Sequence, residues 1–198
     1  ARNTGDARTL AMIALLYGNQ AYDQRDMDEA LSQYEVAAEQ LELVDDPLDM
    51  ISTMIRIAQI YDEQAAFEEA VSNYTRVAEL AGEVGDTHNF VLAQVGLARY
   101  HKYFGRYNDA LENVNAAIEA ATDQTDQVIA RIERNDIARL LEDYETARDL
   151  LSINPNSYDC QTGDLIRLYT SYYDIAVGLA SDALAQVRPL FEPGKIGR

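Results

Sequence analysis

The chain has 198 residues, 47% hydrophobic and 25% charged, enough to bury a core and too apolar for a disordered tail. Its 34 acidic residues against 16 basic ones give a formal charge of −18, the wrong sign for a surface that neutralises nucleic-acid phosphates. The longest uncharged apolar stretches, such as 10–18, fall short of the ~20 residues of a membrane span, and the single cysteine, Cys160, excludes an internal disulfide or a paired-thiolate metal site.

In chain order, the first predicted unit is a helix with apolar residues at Met12, Leu15 and Leu16, a polar turn over 23–26, and a second helix with Ala30, Tyr34, Ala37 and Leu41 on one face. This i, i+3, i+4, i+7 rhythm is that of an amphipathic helix. After the breaker Asp45-Asp46-Pro47, a second unit repeats the pattern with a turn over 62–64. A linker over 82–86 precedes a third unit with its turn over 103–106. Ala30, Ala70 and Ala110 recur at a spacing of 40; Met27, Phe67 and Tyr107 stand three residues before them, and Gly18, Ala58 and Ala98 twelve before. Beyond the linker over 122–125 the pattern weakens. Arg134 and Asn135 stand where earlier units carry Tyr17-Gly18, Ile57-Ala58 and Leu97-Ala98. Tyr144 and Ala147, then Ala180 and Ala183, continue the spacing at shorter intervals, and Asn154-Pro155-Asn156 stops a helix. The expectation is an all-α chain of five helix hairpins, at about 8–44, 47–83, 87–122, 125–154 and 162–191, with almost no sheet.

These residues carry a resemblance. The small residue on the first helix, the aromatic or apolar residue and alanine on the second, and the pairs Tyr34 and Ala37, Tyr74 and Ala78, and Val114 and Ala117 resemble the tetratricopeptide repeat (TPR), whose usual unit is 34 residues. The 40-residue spacing with Gly85-Asp86 in a linker is similar to the longer-helix repeats of bacterial peptide-sensing regulators, maltose-regulator-type activators and spindle-orientation adaptors. The resemblance implies a right-handed superhelical solenoid forming one repeat domain over 1–198. It also implies a concave groove lined by the first helices, where ligands lie.

By that resemblance the groove takes Leu15, Asn19 and Tyr22 from unit one, Ile55, Gln59 and Asp62 from unit two, and Val95, Arg99, Lys102 and Tyr103 from unit three. Asn19, Tyr22, Gln59, Arg99, Lys102 and Tyr103 are the candidate partner-binding residues. Arg99 and Lys102 form a local cationic patch for a carboxylate or acidic peptide, or else pair with carboxylates such as Asp62 or Glu63. On the first reading, replacing both with alanine leaves melting unchanged and weakens an acidic partner. Leu15 and Ile55 stand where chaperone-tail clamps carry polar groups, which argues against that kind of ligand.

Tyr34, Tyr61, Tyr74, Tyr107 and Tyr144 are expected to fill core positions with a polar tip toward water. Tyr169, Tyr172 and Tyr173 either face a partner or a second copy, or lie inside the fifth hairpin. Leu184, Val187, Leu190 and Phe191 are too apolar for a capped solenoid end.

No catalytic constellation is evident. His88 is assigned to a linker, and His101 lies on a helix without a nearby Ser or Cys nucleophile. The acidic pairs Asp45-Asp46, Asp62-Glu63 and Glu68-Glu69 point to different sides of their helices, and Cys160 sits beside the anionic Asp159. No metal ligand, cofactor or phosphate-cradling loop is assigned. The favoured reading is a non-catalytic protein- or peptide-binding scaffold or adaptor. The alternative is a sensory domain of a larger signalling protein such as a transcription regulator, kinase or nucleotide cyclase.

A chain that begins with Ala1 is expected to be processed or part of something longer. Cytoplasmic residence is expected, with periplasmic or extracellular placement left open. The scarcity of lysine, with only Lys102 and Lys195, suits a salty cytoplasm or reflects base composition alone.

Overall fold

The structure, a computed structural model, describes residues 4–141, 143, 163, 164 and 166–168. The fourth unit's second helix, the fifth hairpin core, Cys160, and the expectations for Tyr144, Tyr169, Tyr172, Tyr173, Leu184, Val187, Leu190 and Phe191 lie outside the described residues. Among the described residues seven helices have defined bounds, α1 (Thr4–Asp23), α2 (Met27–Glu42), α3 (Pro47–Glu63), α4 (Phe67–Val84), α5 (Thr87–Tyr103), α6 (Tyr107–Ala120) and α7 (Gln124–Leu140), and residues 163, 164 and 166–168 are helical as well. No strand is present among the described residues.

The helix starts are written locally. Asp26, Asp46, Asp86 and Asp123 each accept a hydrogen bond from the backbone N–H three residues on, at 3.2, 3.3, 3.1 and 2.9 Å, which satisfies one of the donors a helix leaves open at its N-terminus. Pro47 is the first residue of α3, where its missing N–H costs nothing. It therefore opens the helix rather than lying in a linker, and α4 likewise runs through Val84, past the expected breaker at Gly82. The second turn also falls later than predicted, at Gln64–Ala66.

The repeat is written in the backbone too. Arg25, Asp45, Ala65, Gly85 and Gly105 adopt left-handed φ values of 62°, 53°, 57°, 74° and 71°. They fall at a uniform interval of 20, so each repeat is two helix-plus-turn halves reversed by one left-handed residue. Glycine takes this conformation without penalty at two of the five, whereas Arg25, Asp45 and Ala65 carry the Cβ strain.

Packing is sequential. Among α1–α7 all substantial contacts are between helices one or two apart in the chain, the signature of a solenoid. First helices also meet one another, α3 with α5 and α5 with α7, while second helices make at most marginal contact. The first helices therefore line the inner, concave side.

Three apolar clusters each bridge three successive helices: Ala21, Ala30, Tyr34, Ile57 and Ile60 across α1–α3; Ile51, Tyr74, Val77 and Leu97 across α3–α5; Val91, Val114, Ala130 and Ile137 across α5–α7. Ala30, Ala70 and Ala110 are all buried, as are Ala58 and Ala98. Each fully buried isoleucine, such as Ile51 or Ile60, contributes about 1.5–3 kcal/mol through removal from water. A hairpin alone exposes this face, and only stacking removes it from water.

Tyr34 lies so close to Gly18 that a Cβ there would come within 2.7 Å of its ring. Gly96 meets Tyr74 in the same way, at 2.6 Å. Helix α7 runs unbroken through Arg134 and Asn135, and Asn135 is buried in it.

Candidate functional site

The inner side carries an open cleft of about 460 Å3. Its walls come from the first helices: Tyr22 of α1, Arg56, Gln59, Asp62 and Glu63 of α3, Leu92, Val95, Gly96 and Arg99 of α5 and Ile129 of α7, with Tyr74 of α4 at the floor. Of the six candidate residues, Tyr22, Gln59 and Arg99 line this cleft; Asn19, Lys102 and Tyr103 do not.

Asn19 is engaged within its own hairpin, accepting the Tyr34 hydroxyl at 2.7 Å. Tyr103 lies among the rings of Phe67, Tyr100 and Phe104, with centroids 4.7 Å from Phe67. Tyr103 is 69% exposed and Phe104 50%, so this aromatic cluster is a surface of its own at a hairpin turn. Leu15 and Ile55, assigned to the groove by resemblance, pack into the core instead, because their helix faces turn toward α2 and α4.

The cationic patch is neutralised from within. Arg99 Nε donates to Glu133 Oε2 at 2.9 Å, Lys102 Nζ pairs with Glu133 Oε1, and Lys102 also lies 3.7 Å from Asp136. The Glu133 side chain is only 4% exposed. Carboxylates of α7 are thus partners of both cations, which anchor α5 to α7 around a buried carboxylate.

Arg56, which sequence reasoning missed, is a second exposed cation of the cleft beside Arg99. Its guanidinium lies 5.8 Å from the Tyr22 ring centroid and makes no ion pair among the described residues. Its position repeats Leu16 and Gly96, so no shared residue type marks it.

The acidic wall is tuned. Tyr74 donates to Asp62 Oδ2 at 2.7 Å. Burial holds the Asp62 carboxyl above its usual range, partly offset by that hydroxyl and by Arg99. Burial and the Asp62 carboxylate push the Tyr74 hydroxyl strongly upward, so it remains a proton donor. Glu63 accepts from the Tyr22 hydroxyl at 3.2 Å and lies 3.8 Å from Arg25.

A second polar cluster lies where α5 and α7 begin. His88 is in the first turn of α5, not in a linker, and its Nδ1 is 2.8 Å from Asp126 Oδ1. A ligand atom of His88, of Asp123 and of Asp126 all fall within 4.8 Å of one another. The separation of these residues in sequence hid the grouping. Burial and the neighbouring Asp123 carboxyl raise the Asp126 carboxyl, while hydrogen bonds from the Asp126 and Thr125 backbone help hold Asp123 below its usual range.

No helix among the described residues is long and apolar enough to cross a membrane. No protein-family model matches the chain, and no curated protein sequence matches it either. Among solved structures it is similar to nearly identical TPR-like repeats of a chain described as a kinesin light chain from Podosopora anserina. The TM-score is 0.65 at 16% identity, with 100% of both chains covered. The chain has the all-helical fold of a TPR-like repeat solenoid.

Proposed function

We propose that the chain is a non-catalytic protein-interaction module, a scaffold or adaptor that holds an extended peptide segment of a partner in the cleft between its first helices. The observation that carries this reading is the exposed Arg56 guanidinium, set against Tyr22 and flanked by Gln59 and Arg99 on the inner face. A guanidinium that lacks a carboxylate partner among the described residues offers a two-pronged donor to a ligand carboxylate, and the Tyr22 ring gives an apolar surface beside it. Asp62 and Glu63 on the same wall accept backbone N–H groups or a basic residue of the same peptide. The ligand class is an extended peptide with at least one acidic side chain.

The test is an array of fluorescent peptides that vary in acidic content, titrated with wild type and with Arg56→Ala. Arg56 is exposed, so the variant is expected to melt as wild type does. Acidic peptides are expected to bind wild type and to lose about tenfold in affinity with the variant, about 1.4 kcal/mol. Binding indifferent to both peptide charge and Arg56 contradicts the proposal.

A further inference from the structure

Asp126 is 1% exposed, yet only one of its carboxylate oxygens is satisfied: Oδ1 faces His88 Nδ1 at 2.8 Å, and Oδ2 is buried with no hydrogen-bond partner. An orphaned buried acceptor is costly, and native structures rarely leave one without an unseen water, ion or proton. A protonated His88 answers for Oδ1 alone. The Asp123 carboxyl stands within hydrogen-bond reach of the Asp126 carboxyl, and two facing acceptors need either a shared proton or a cation between them. We propose that His88, Asp123 and Asp126 form a divalent transition-metal site that pins the start of α5 to the start of α7.

Three atoms that all lie within 4.8 Å of one another fit around a single ion with bonds of about 2.0–2.2 Å after small side-chain adjustment. One imidazole nitrogen and two carboxylate oxygens suit Zn2+ or Mn2+ better than Mg2+ or Ca2+, which prefer all-oxygen shells. A divalent charge offsets both carboxylates and outweighs the partial positive charge of the helix ends. The imidazole is 57% exposed and Asp123 lies on the surface, so an ion enters from solvent. Three protein ligands leave a position for water. The role is a staple between the third and fourth hairpins, because binding to the folded state alone stabilises it.

The test uses chelator-stripped full chain and Zn2+ alone. Calorimetric titration is expected to show one equivalent bound, not displaced by a hundredfold excess of Mg2+, with a rise in melting temperature. Each of His88→Ala and Asp123→Asn is expected to weaken binding at least tenfold; Asp126 is left intact because its burial risks the fold. Any of three results overturns the site: no saturable Zn2+ binding by wild type, displacement by Mg2+ as for a diffuse acidic surface, or binding by both variants as tight as by wild type. A folded but Zn2+-indifferent protein leaves His88 and Asp126 as an ion pair only.

Discussion

The Tyr74 hydroxyl and the Asp62 carboxylate meet at 2.7 Å on the cleft wall, joining the second hairpin's inner helix to its outer one. The bond links the core to the cleft, since Tyr74 packs against Gly96 on the next hairpin while its tip fixes a cleft carboxylate. Tyr74→Phe removes the hydroxyl and leaves the ring. A stability loss of about 1.5–3 kcal/mol is expected in urea unfolding, the usual effect of removing a hydrogen bond to a charged group. Because that bond lowers the Asp62 midpoint against burial, the variant should move the Asp62 carboxyl-carbon titration to higher pH. An unmoved midpoint contradicts the tuning.

The same carboxyl sets a sign for pH dependence. Its folded pKa lies above the ordinary 3.8, so the folded state holds the proton more tightly than the unfolded one between those two values. Its contribution is unfavourable at neutral pH and improves as pH falls through the folded midpoint. Asp62→Asn keeps an oxygen for Tyr74 without the charge. As pH falls from 7 into the carboxylate range, unfolding curves should therefore show wild type gaining stability relative to this variant.

Gly96 faces the Tyr74 ring so closely that any side chain forces the ring to move. Gly96→Ala is expected to destabilise by about 1–3 kcal/mol despite alanine's better helix propensity, because overpacking outweighs a gain of about 1 kcal/mol. Chemical denaturation measures the difference. A stabilised variant means the contact is looser than described.

The five left-handed residues predict opposite outcomes at equivalent turns. Ala65→Gly should stabilise by up to about 1 kcal/mol by removing Cβ strain at φ 57°, whereas Gly105→Ala, at φ 71°, should destabilise by a similar amount. Thermal melts of the two variants, side by side with wild type, decide it.

Arg99→Ala combined with Lys102→Ala is not neutral in this structure. Both cations hold the buried Glu133, so the double variant leaves an uncompensated carboxylate and should lose about 3 kcal/mol, lowering the melting temperature. Restored melting with an added Glu133→Leu, which removes the stranded charge, would locate the cost at that carboxylate. Unchanged melting of the double variant restores the free-patch reading.

Hairpins one to three were legible because alanine at 30, 70 and 110 and small residues at 18, 58 and 98 are fixed by helix contact, which any repeat must satisfy. Turn positions were less so: Ala65 shows no glycine signal, although the backbone reverses there as at Gly105. The cleft was half legible. Tyr22, Gln59 and Arg99 follow from register, but Arg56 has no repeated residue type to mark it. Glu133 pairs across units, and pairing of that kind depends on superhelical geometry that spacing alone does not carry.

The central claim is that the inner face, not the outer one, holds the ligand. A photo-crosslinking residue placed at position 59, in the cleft, or at position 36, exposed on α2, tests it most directly with the best acidic peptide from the array. The account predicts saturable crosslinking from position 59, suppressed by unlabelled peptide, and none above background from position 36. Crosslinking from position 36 alone would place the ligand on the outer helices and contradict the account.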